Sequence, residues 1–192
     1  MRFAGQSCSL SVLDFSLNVA DDIAGVIEKL PQLENIKTLL LKKCRITPAS
    51  VVDLSKLITL TTPDQLLRIS SLTLDGIKLS GTEALKGILA LSDMFIPTNP
   101  CSLELLSLIG CGLNDRDVKP LMNGIGNGLD IKELRLSANR LTDTTVNYLV
   151  DSSGTSLSLL ALDLSINKVG LSRTIRSIND PRSLSPVNTI IK

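Results

Sequence analysis

Histidine and tryptophan are absent from the 192 residues of this chain, and aromatic side chains make up only 2% of it. With one tyrosine, Tyr148, and three phenylalanines, a buried core has to be built from aliphatic side chains. The lack of histidine excludes Ser-His and Cys-His catalytic pairs and every histidine metal ligand. No Cys-x-x-Cys pair is present either. We therefore expect no enzyme activity, no metal site and no cofactor.

Charge of one sign, long apolar runs and glycosylation sites are also lacking. Twenty basic residues oppose nineteen acidic ones, so the formal charge of +1 provides no overall field for nucleic acid or an anionic membrane. No stretch approaches the length of a membrane span, the N-terminus lacks a signal-peptide pattern, and no Asn-x-Ser/Thr sequence occurs. We expect a cytoplasmic, reducing location.

The chain does contain one short pattern six times. Each copy is a spaced run of Leu or Ile that ends at Asn or Cys and is followed by one more apolar residue. The copies begin at Leu10, Ile36, Ile69, Leu103, Ile131 and Leu159. Starts lie between 26 residues (Leu10 to Ile36) and 34 residues (Ile69 to Leu103) apart, which leaves room for a strand and a full helix in each repeat.

The segment LRLSANRLTDTTVNYL, over 134–149, carries the pattern most clearly. It resembles the ribonuclease-inhibitor-like class of leucine-rich-repeat proteins, and the resemblance covers about residues 8 to 170. It implies a right-handed α/β solenoid, in which parallel strands form the concave side and helices the convex side. We expect the array over residues 1–170. A C-terminal helix and tail over 171–192 would cap the array or bind a partner.

Several polar residues mark expected helix starts. Thr47 followed by Pro48 has the order of an N-cap and a first helical residue. Ser80 to Glu83 has the spacing of a capping box, and Asn114 and Thr142 precede aspartates in the same way. Pro120 predicts that the fourth helix is kinked or starts late.

The ninth position of each repeat predicts a structural ladder along the turns. Counting each copy from its first residue, this position holds Asn18, Cys44, Cys111, Asn139 and Asn167. An inward-pointing amide there serves the backbone of the turn, and a thiol fits the same space with weaker hydrogen bonds. Ile77 breaks the ladder in the third repeat. We expect Cys44 and Cys111 to be reduced and buried.

Positions three, five and seven of each repeat should face the concave side, because strand side chains alternate. Candidate partner-binding residues on this face are Leu40, Lys42, Lys43, Thr73, Asp75, Leu105, Ser107, Ile109, Glu133, Arg135 and Asp163. Leu105 and Ile109 would anchor a partner, Lys42 with Lys43 forms a small basic spot, and Glu133 pairs with Arg135. The alternative is that these are ordinary solvated strand residues.

Two other features have a structural and a functional interpretation. The glycines at 124, 126 and 128 follow a helix and lack a trailing Lys-Ser/Thr, which favours a helix-end turn over a phosphate-binding loop. The long returns at 61–64 and 97–100 are either binding loops at a rim or insertions without a role.

The favoured function is a non-catalytic protein-interaction or scaffold subunit of a larger intracellular assembly, with cytoskeletal or ciliary assemblies among those that the class suggests. Protein partners would use the concave face, the rim loops or the open C-terminal end, and no nucleic-acid, membrane or small-molecule partner is expected. One alternative is a small-GTPase regulator resembling the Ran GTPase-activating protein. Another is a bacterial effector that mimics host repeat proteins.

Overall fold

The computed structural model describes residues 9–18, 23–59, 68–82, 84–96, 101–126, 131–152 and 159–170. The predicted returns at 61–64 and 97–100, the tail at 171–192, and Cys8 and Glu83 lie outside these residues.

Strands and helices alternate along the chain. The strands are β1 Val12–Asp14, β2 Thr38–Leu40, β3 Ser71–Thr73, β4 Leu105–Ser107, β5 Glu133–Arg135 and β6 Ala161–Asp163. The helices are α1 Ala24–Lys29, α2 Pro48–Thr59, α3 Leu85–Asp93, α4 Asp115–Gly126 and α5 Asp143–Ser152, and a short 3₁₀ turn, Leu30–Gln32, follows α1.

The six strands form one parallel sheet in chain order. The third residue of each repeat pairs with the third residue of the next, as Thr38 does with Ser71 and Ser71 with Leu105. Since parallel neighbours need a crossover, a helix covers one face of the sheet at every return. The predicted α/β solenoid is confirmed by this topology.

Leucines at positions four and six fill the space between sheet and helices. Leu39, Leu72, Leu106 and Leu134 are all 0% exposed. Each such side chain contributes about 2 kcal/mol when it is removed from water. Because every repeat is covered by its neighbours, this aliphatic core is continuous along the stack.

Two glycines allow neighbouring helices to pack closely. A Cβ on Gly87 of α3 would lie 3.3 Å from Val51 of α2, and one on Gly124 of α4 would lie 3.2 Å from the carbonyl oxygen of Ser92 in α3. Gly124 and Gly126 belong to the last turn of α4. Gly124 therefore allows close helix packing, and Gly128 lies outside the described residues.

Three of the predicted helix starts are confirmed by capping hydrogen bonds. Thr47 Oγ1 accepts from the Ser50 amide at 3.2 Å, and Thr142 Oγ1 accepts from the Thr144 amide at 3.2 Å. Asn114 Oδ1 accepts from Arg116 N at 2.9 Å. A hydroxyl or amide oxygen thus satisfies a free amide at the first turn of α2, α4 and α5.

The expected cap at Ser80 and the late start of the fourth helix are wrong, whereas the other alternative at Pro120, a kinked helix, stays a prediction. Ser80 does not cap α3, which begins at Leu85 after Ala84; Gly81, at φ +96°, turns the backbone away from helical geometry directly after Ser80. Helix α4 does not start late, because it begins at Asp115 and continues through Pro120.

Position eight of every repeat has a left-handed backbone. Glycine fills it at Gly76 and Gly110, whereas Leu17, Lys43, Ala138 and Ile166 adopt positive φ values between 52° and 67°. This geometry lets the position-eight amide donate to the next repeat, as Lys43 N does to Asp75 O at 2.7 Å. The strain of about 1 kcal/mol at each non-glycine residue is offset by that inter-repeat bond.

Candidate interaction surface

The face of the sheet that the helices leave uncovered presents positions three, five and seven of each repeat, and we call it the open face. Leu40, Leu105 and Ile109 are half-buried on it, whereas Lys42 is exposed. Thr73 and Ser107, at 5% and 1% exposure, form its floor. The register brings the predicted residues of positions three, five and seven onto one surface, with Thr73 between Leu40 and Ser107 in the position-five row. Lys43, at position eight, lies in the turn after β2 instead.

A polar cluster occupies the centre of the open face. Ser107 Oγ donates to Asp75 Oδ1 at 2.6 Å, and the Ile109 amide donates to the same oxygen at 3.0 Å. The Asp75 carboxylate therefore accepts both hydrogen bonds from the next repeat. This cluster fixes the centre of the surface rather than leaving a free acid there.

The apolar residues of the open face do not form one patch. Leu105 begins β4, and Ile109 lies four residues later in the turn after this strand, with Ser107 between them. Leu40 lies two strands away from Leu105. A partner would contact separate apolar side chains across a polar floor.

The charged open-face residues of the fifth and sixth repeats, Glu133, Arg135 and Asp163, are paired or hydrogen-bonded. Arg135 Nε lies 2.6 Å from Glu133 Oε1, as the sequence predicted. Asp163 Oδ1 accepts from the Ser165 amide at 3.0 Å. At the other end of the sheet, hydrogen bonds from the side chain and backbone of Ser16 lower the pKa of Asp14, and the charge of Lys42 adds to this effect.

The ninth-position side chains join consecutive repeats. Asn139 Nδ2 donates to Leu108 O at 2.9 Å, and its Oδ1 accepts from Leu113 N at 3.1 Å. Asn167 makes the equivalent bond to Leu136 O at 2.9 Å. Asn18, in the first repeat, is exposed and donates to Phe15 O of its own repeat at 2.6 Å.

Two cysteines occupy the same place with fewer bonds. The thiols of Cys44 and Cys111 reach Phe15 O at 3.1 Å and Leu74 O at 3.2 Å. Both are free and buried. Burial raises the pKa of the Cys111 thiol to about 12, and it raises the pKa of Cys44 as well. At Ile77, which is 3% exposed, an apolar side chain takes the place of the amide.

The sequence analysis did not predict one contact between neighbouring helix starts. Asp115 of α4 is hydrogen-bonded to Thr142 and Thr145 near the start of α5, and we call this contact the Asp115 clamp. Asp115 accepts hydrogen bonds from Thr142 N at 2.9 Å, Thr142 Oγ1 at 2.8 Å and Thr145 Oγ1 at 2.5 Å. Partial burial, the largest single influence, raises the pKa of Asp115, but the hydrogen bonds from Thr145 and Thr142 together outweigh it and lower the pKa. The signal was present as an aspartate at position thirteen in both the fourth and the fifth repeat.

A set of exposed bases at the carboxyl ends of the strands was recognised only in part, at Lys42 and Lys43. We call this set the basic rim, and its described members are Lys42, Lys43, Arg45, Lys78, Arg140 and Lys168. Four of them share position ten of their repeats, a periodicity that the sequence does carry.

The part of the chain that the structure describes contains no cluster of metal ligands and no membrane-spanning helix. No group of three or more Cys, Asp or Glu side chains there could hold a metal ion. Among the same residues, no helix has the length and apolar character needed to cross a membrane.

Comparison with known proteins gives a likeness to bacterial repeat proteins. No protein-family model and no curated protein matches the chain. Solved structures that match include an internalin (inlF) from Listeria monocytogenes, at 16% identity and a TM-score of 0.48, with 91% of this chain and 38% of that one covered. Internalin C2 from the same species matches at 20% identity and a TM-score of 0.40, covering 95% of this chain and 80% of that one. The chain thus spans 38% of the first internalin's length.

The class follows from the molecule's own geometry. Six strands in one parallel register, leucines at positions four and six, and an Asn or Cys that reaches back to the preceding repeat define an α/β leucine-rich-repeat solenoid.

Proposed function

We propose that this chain is a non-catalytic protein-interaction subunit that holds a partner on the open face and the rim beside it. The observation that supports this most is the register of the sheet, which sets side chains of different chemistry in straight rows across six strands. Solenoids of this kind use such extended surfaces to bind other macromolecules.

The size of the open face argues that the rim takes part. Six strands spaced about 4.8 Å apart are about 24 Å wide, and the strand length adds about 10 to 13 Å of depth. A stable interface uses on the order of 800 Å² per partner. The open face supplies less than half of that area, so a specific complex needs the adjoining rim as well.

The finer assignment is a scaffold subunit of an intracellular assembly, built on the ribonuclease-inhibitor-like type of repeat. Helices of 12 residues in α2 and α4 support the subtype, since shorter repeat types leave room only for extended or 3₁₀ segments. Free, buried cysteines at Cys44 and Cys111 support a reducing, cytoplasmic location. Cytoskeletal and ciliary assemblies are those that the subtype suggests.

The test is capture of partners from native extract, identified by mass spectrometry, with Leu105→Asp and Leu89→Asp as matched variants. Leu105 is half-buried on the open face, and Leu89 is 42% exposed on α3 of the helical layer. We expect Leu105→Asp to lose the partner and Leu89→Asp to retain it. The reverse result would exclude the open face as the binding surface.

A second variant guards against loss of folding at Leu105. Exchanging the two charges, with Glu133→Arg and Arg135→Glu together, keeps the 2.6 Å ion pair and reverses its polarity. Partner retention should fall in this variant while its thermal unfolding stays close to that of the wild type. Unchanged retention in both open-face variants would contradict the proposal.

A further inference from the structure

The basic rim shows a separation of charge that the overall charge of +1 hides. Its position-ten row is formed by Arg45, Lys78, Arg140 and Lys168, with Gly112 in the fourth repeat. All four side chains are exposed. Lys56, Lys132 and Arg135, which lie outside this row, form ion pairs with Asp53, Glu104 and Glu133.

Acidic side chains near the basic rim accept hydrogen bonds from other groups of the protein. Asp75 accepts from Ser107 Oγ at 2.6 Å, and Asp143 Oδ1 accepts from Gly170 N at 2.6 Å. Asp117 Oδ2 accepts from Asn114 N at 3.0 Å and is 9% exposed. Asp115 is held by the two threonines of the clamp described above. These carboxylates therefore stabilise the fold through hydrogen bonds, whereas the bases of the basic rim are exposed to solvent.

Backbone pairing ties two bases of the rim to the preceding repeat, with position ten opposite position twelve. Arg140 forms a parallel bridge with Asn114, and Lys168 forms one with Thr142. The row from Arg45 to Lys168 crosses four strand spacings, or about 19 Å. An extended segment of about six residues has this length.

We propose that the basic rim binds an acidic, extended segment of a partner protein. The inference rests on the proposed function and adds to it the chemistry of the partner. Several exposed bases, whose neighbouring aspartates accept hydrogen bonds within the protein, attract a chain of carboxylates and set its orientation. Two apolar side chains at position eight, Leu17 and Ile166, are 68% and 81% exposed and offer contacts for apolar residues within such a segment.

A protein segment fits this rim better than a nucleic acid does. Single-stranded nucleic acids gain much of their affinity by stacking bases on aromatic side chains. The open face and the basic rim contain no aromatic residue among the described positions three, five, seven, eight and ten. Exposed aliphatic residues beside the charges match a peptide that mixes acidic and apolar side chains.

The experiment measures binding of a fluorescent acidic peptide of about eight residues by anisotropy, using the full chain. The probe carries alternating glutamate and leucine, and the comparison probes are its lysine counterpart and a single-stranded oligonucleotide of equal charge. The rim variant combines Arg45→Glu, Lys78→Glu and Arg140→Glu. The matched control combines Lys29→Glu, Lys37→Glu and Arg68→Glu, three exposed bases away from the rim.

We expect the acidic peptide to bind the wild type and the control triple within about threefold of each other, and the rim triple at least about tenfold more weakly. Raising the ionic strength from about 0.05 M to about 0.3 M should weaken wild-type binding by a similar factor. Absence of acidic-peptide binding, an equal loss in the control triple, or tighter binding of the oligonucleotide would each overturn the proposal.

Its failure is distinguishable from failure of the proposed function. If the acidic peptide does not bind but Leu105→Asp still releases a captured partner, the chain is an interaction subunit and only the rim assignment is wrong. If the wild type captures no partner at all, the proposed function fails whatever the peptide does.

Discussion

The side-chain amide of Asn139 donates a 2.9 Å hydrogen bond to the carbonyl oxygen of Leu108, one repeat earlier in the chain. It also donates to Leu136 O of its own repeat at 2.9 Å, while its oxygen accepts from Leu113 N at 3.1 Å. One buried side chain therefore satisfies backbone groups of two repeats at once. Stacking in this molecule depends on such bonds as well as on leucine packing.

Replacing Asn139 should lower the free energy of unfolding more than replacing Asn18, its counterpart in the first repeat. Asn139→Ala leaves several buried backbone groups without partners, and we expect a loss of about 2 to 4 kcal/mol in the free energy of unfolding. Asn18→Ala, at an exposed site that bonds within its own repeat, should cost about 1 kcal/mol or less. Urea unfolding of both variants checks the difference, and equal losses would argue against the ladder.

Glycine at a strained position-eight residue should stabilise the protein. Ala138 has φ 55°, a region that glycine adopts without steric cost. We expect Ala138→Gly to raise the free energy of unfolding by about 0.5 to 1 kcal/mol. Ala90→Gly inside α3 is the control and should lower it by about 1 kcal/mol. A destabilised Ala138→Gly variant would contradict the left-handed geometry.

The Asp115 clamp predicts a loss of stability in acid. Because the pKa of Asp115 is lowered in the folded state from 3.8, the unfolded chain binds its proton more readily. Stability from this group is complete above the unfolded pKa and is lost as pH falls through the folded pKa. Asp115→Asn should be less stable than the wild type at neutral pH and should show a shallower decline below about pH 4.

Thermal unfolding across a pH series measures this effect. Asp53→Asn, at an exposed carboxylate of α2 that lies 3.6 Å from Lys56, is the matched control. Its acid profile should follow the wild type, because exposed ion pairs contribute little. If Asp115→Asn followed the wild-type profile as closely, the clamp would have no energetic role.

Thiol reactivity reports on the ladder cysteines. Cys111 is 1% exposed and has a pKa raised to about 12, so at neutral pH it is both covered and protonated. Only the thiolate reacts efficiently with alkylating reagents. We expect pulse alkylation and peptide mapping to show Cys111 labelled in urea and protected in buffer. Rapid labelling in buffer would place this thiol outside the stack.

Much of the fold could be predicted because the spacing of the leucines shows where each repeat and its strand begin. The third residue of each copy, from Val12 to Ala161, begins a strand, as alternation within the pattern required. Thr47, Asn114 and Thr142 correctly predicted helix starts, because a capping oxygen accepts a hydrogen bond from an amide only two or three residues further along the chain. The prediction at Ser80 was wrong because Gly81 adopts a positive φ, and the capping-box spacing carries no information about that backbone angle.

The site was harder to predict, because burial on a sheet depends on neighbours from other repeats. Thr73 and Ser107 have the alternation of surface residues but are buried by the strands beside them. The bond between Ser107 and Asp75 joins residues 32 apart in sequence. The basic rim becomes visible only when position ten is compared across repeats and the nearby acids are found to be engaged.

Every surface described above depends on the strand register, and paired cysteines test it most directly. Thr38 and Ser71 are partners in β2 and β3, and neighbouring strands about 4.8 Å apart allow a disulfide. In a background with Cys8→Ser and Cys101→Ser, Thr38→Cys with Ser71→Cys should form a disulfide on mild oxidation. Thr38→Cys with Leu72→Cys, whose side chains lie on opposite faces, should remain reduced. Equal cross-linking of the two pairs, or cross-linking of the second alone, would contradict the parallel register and the open face with it.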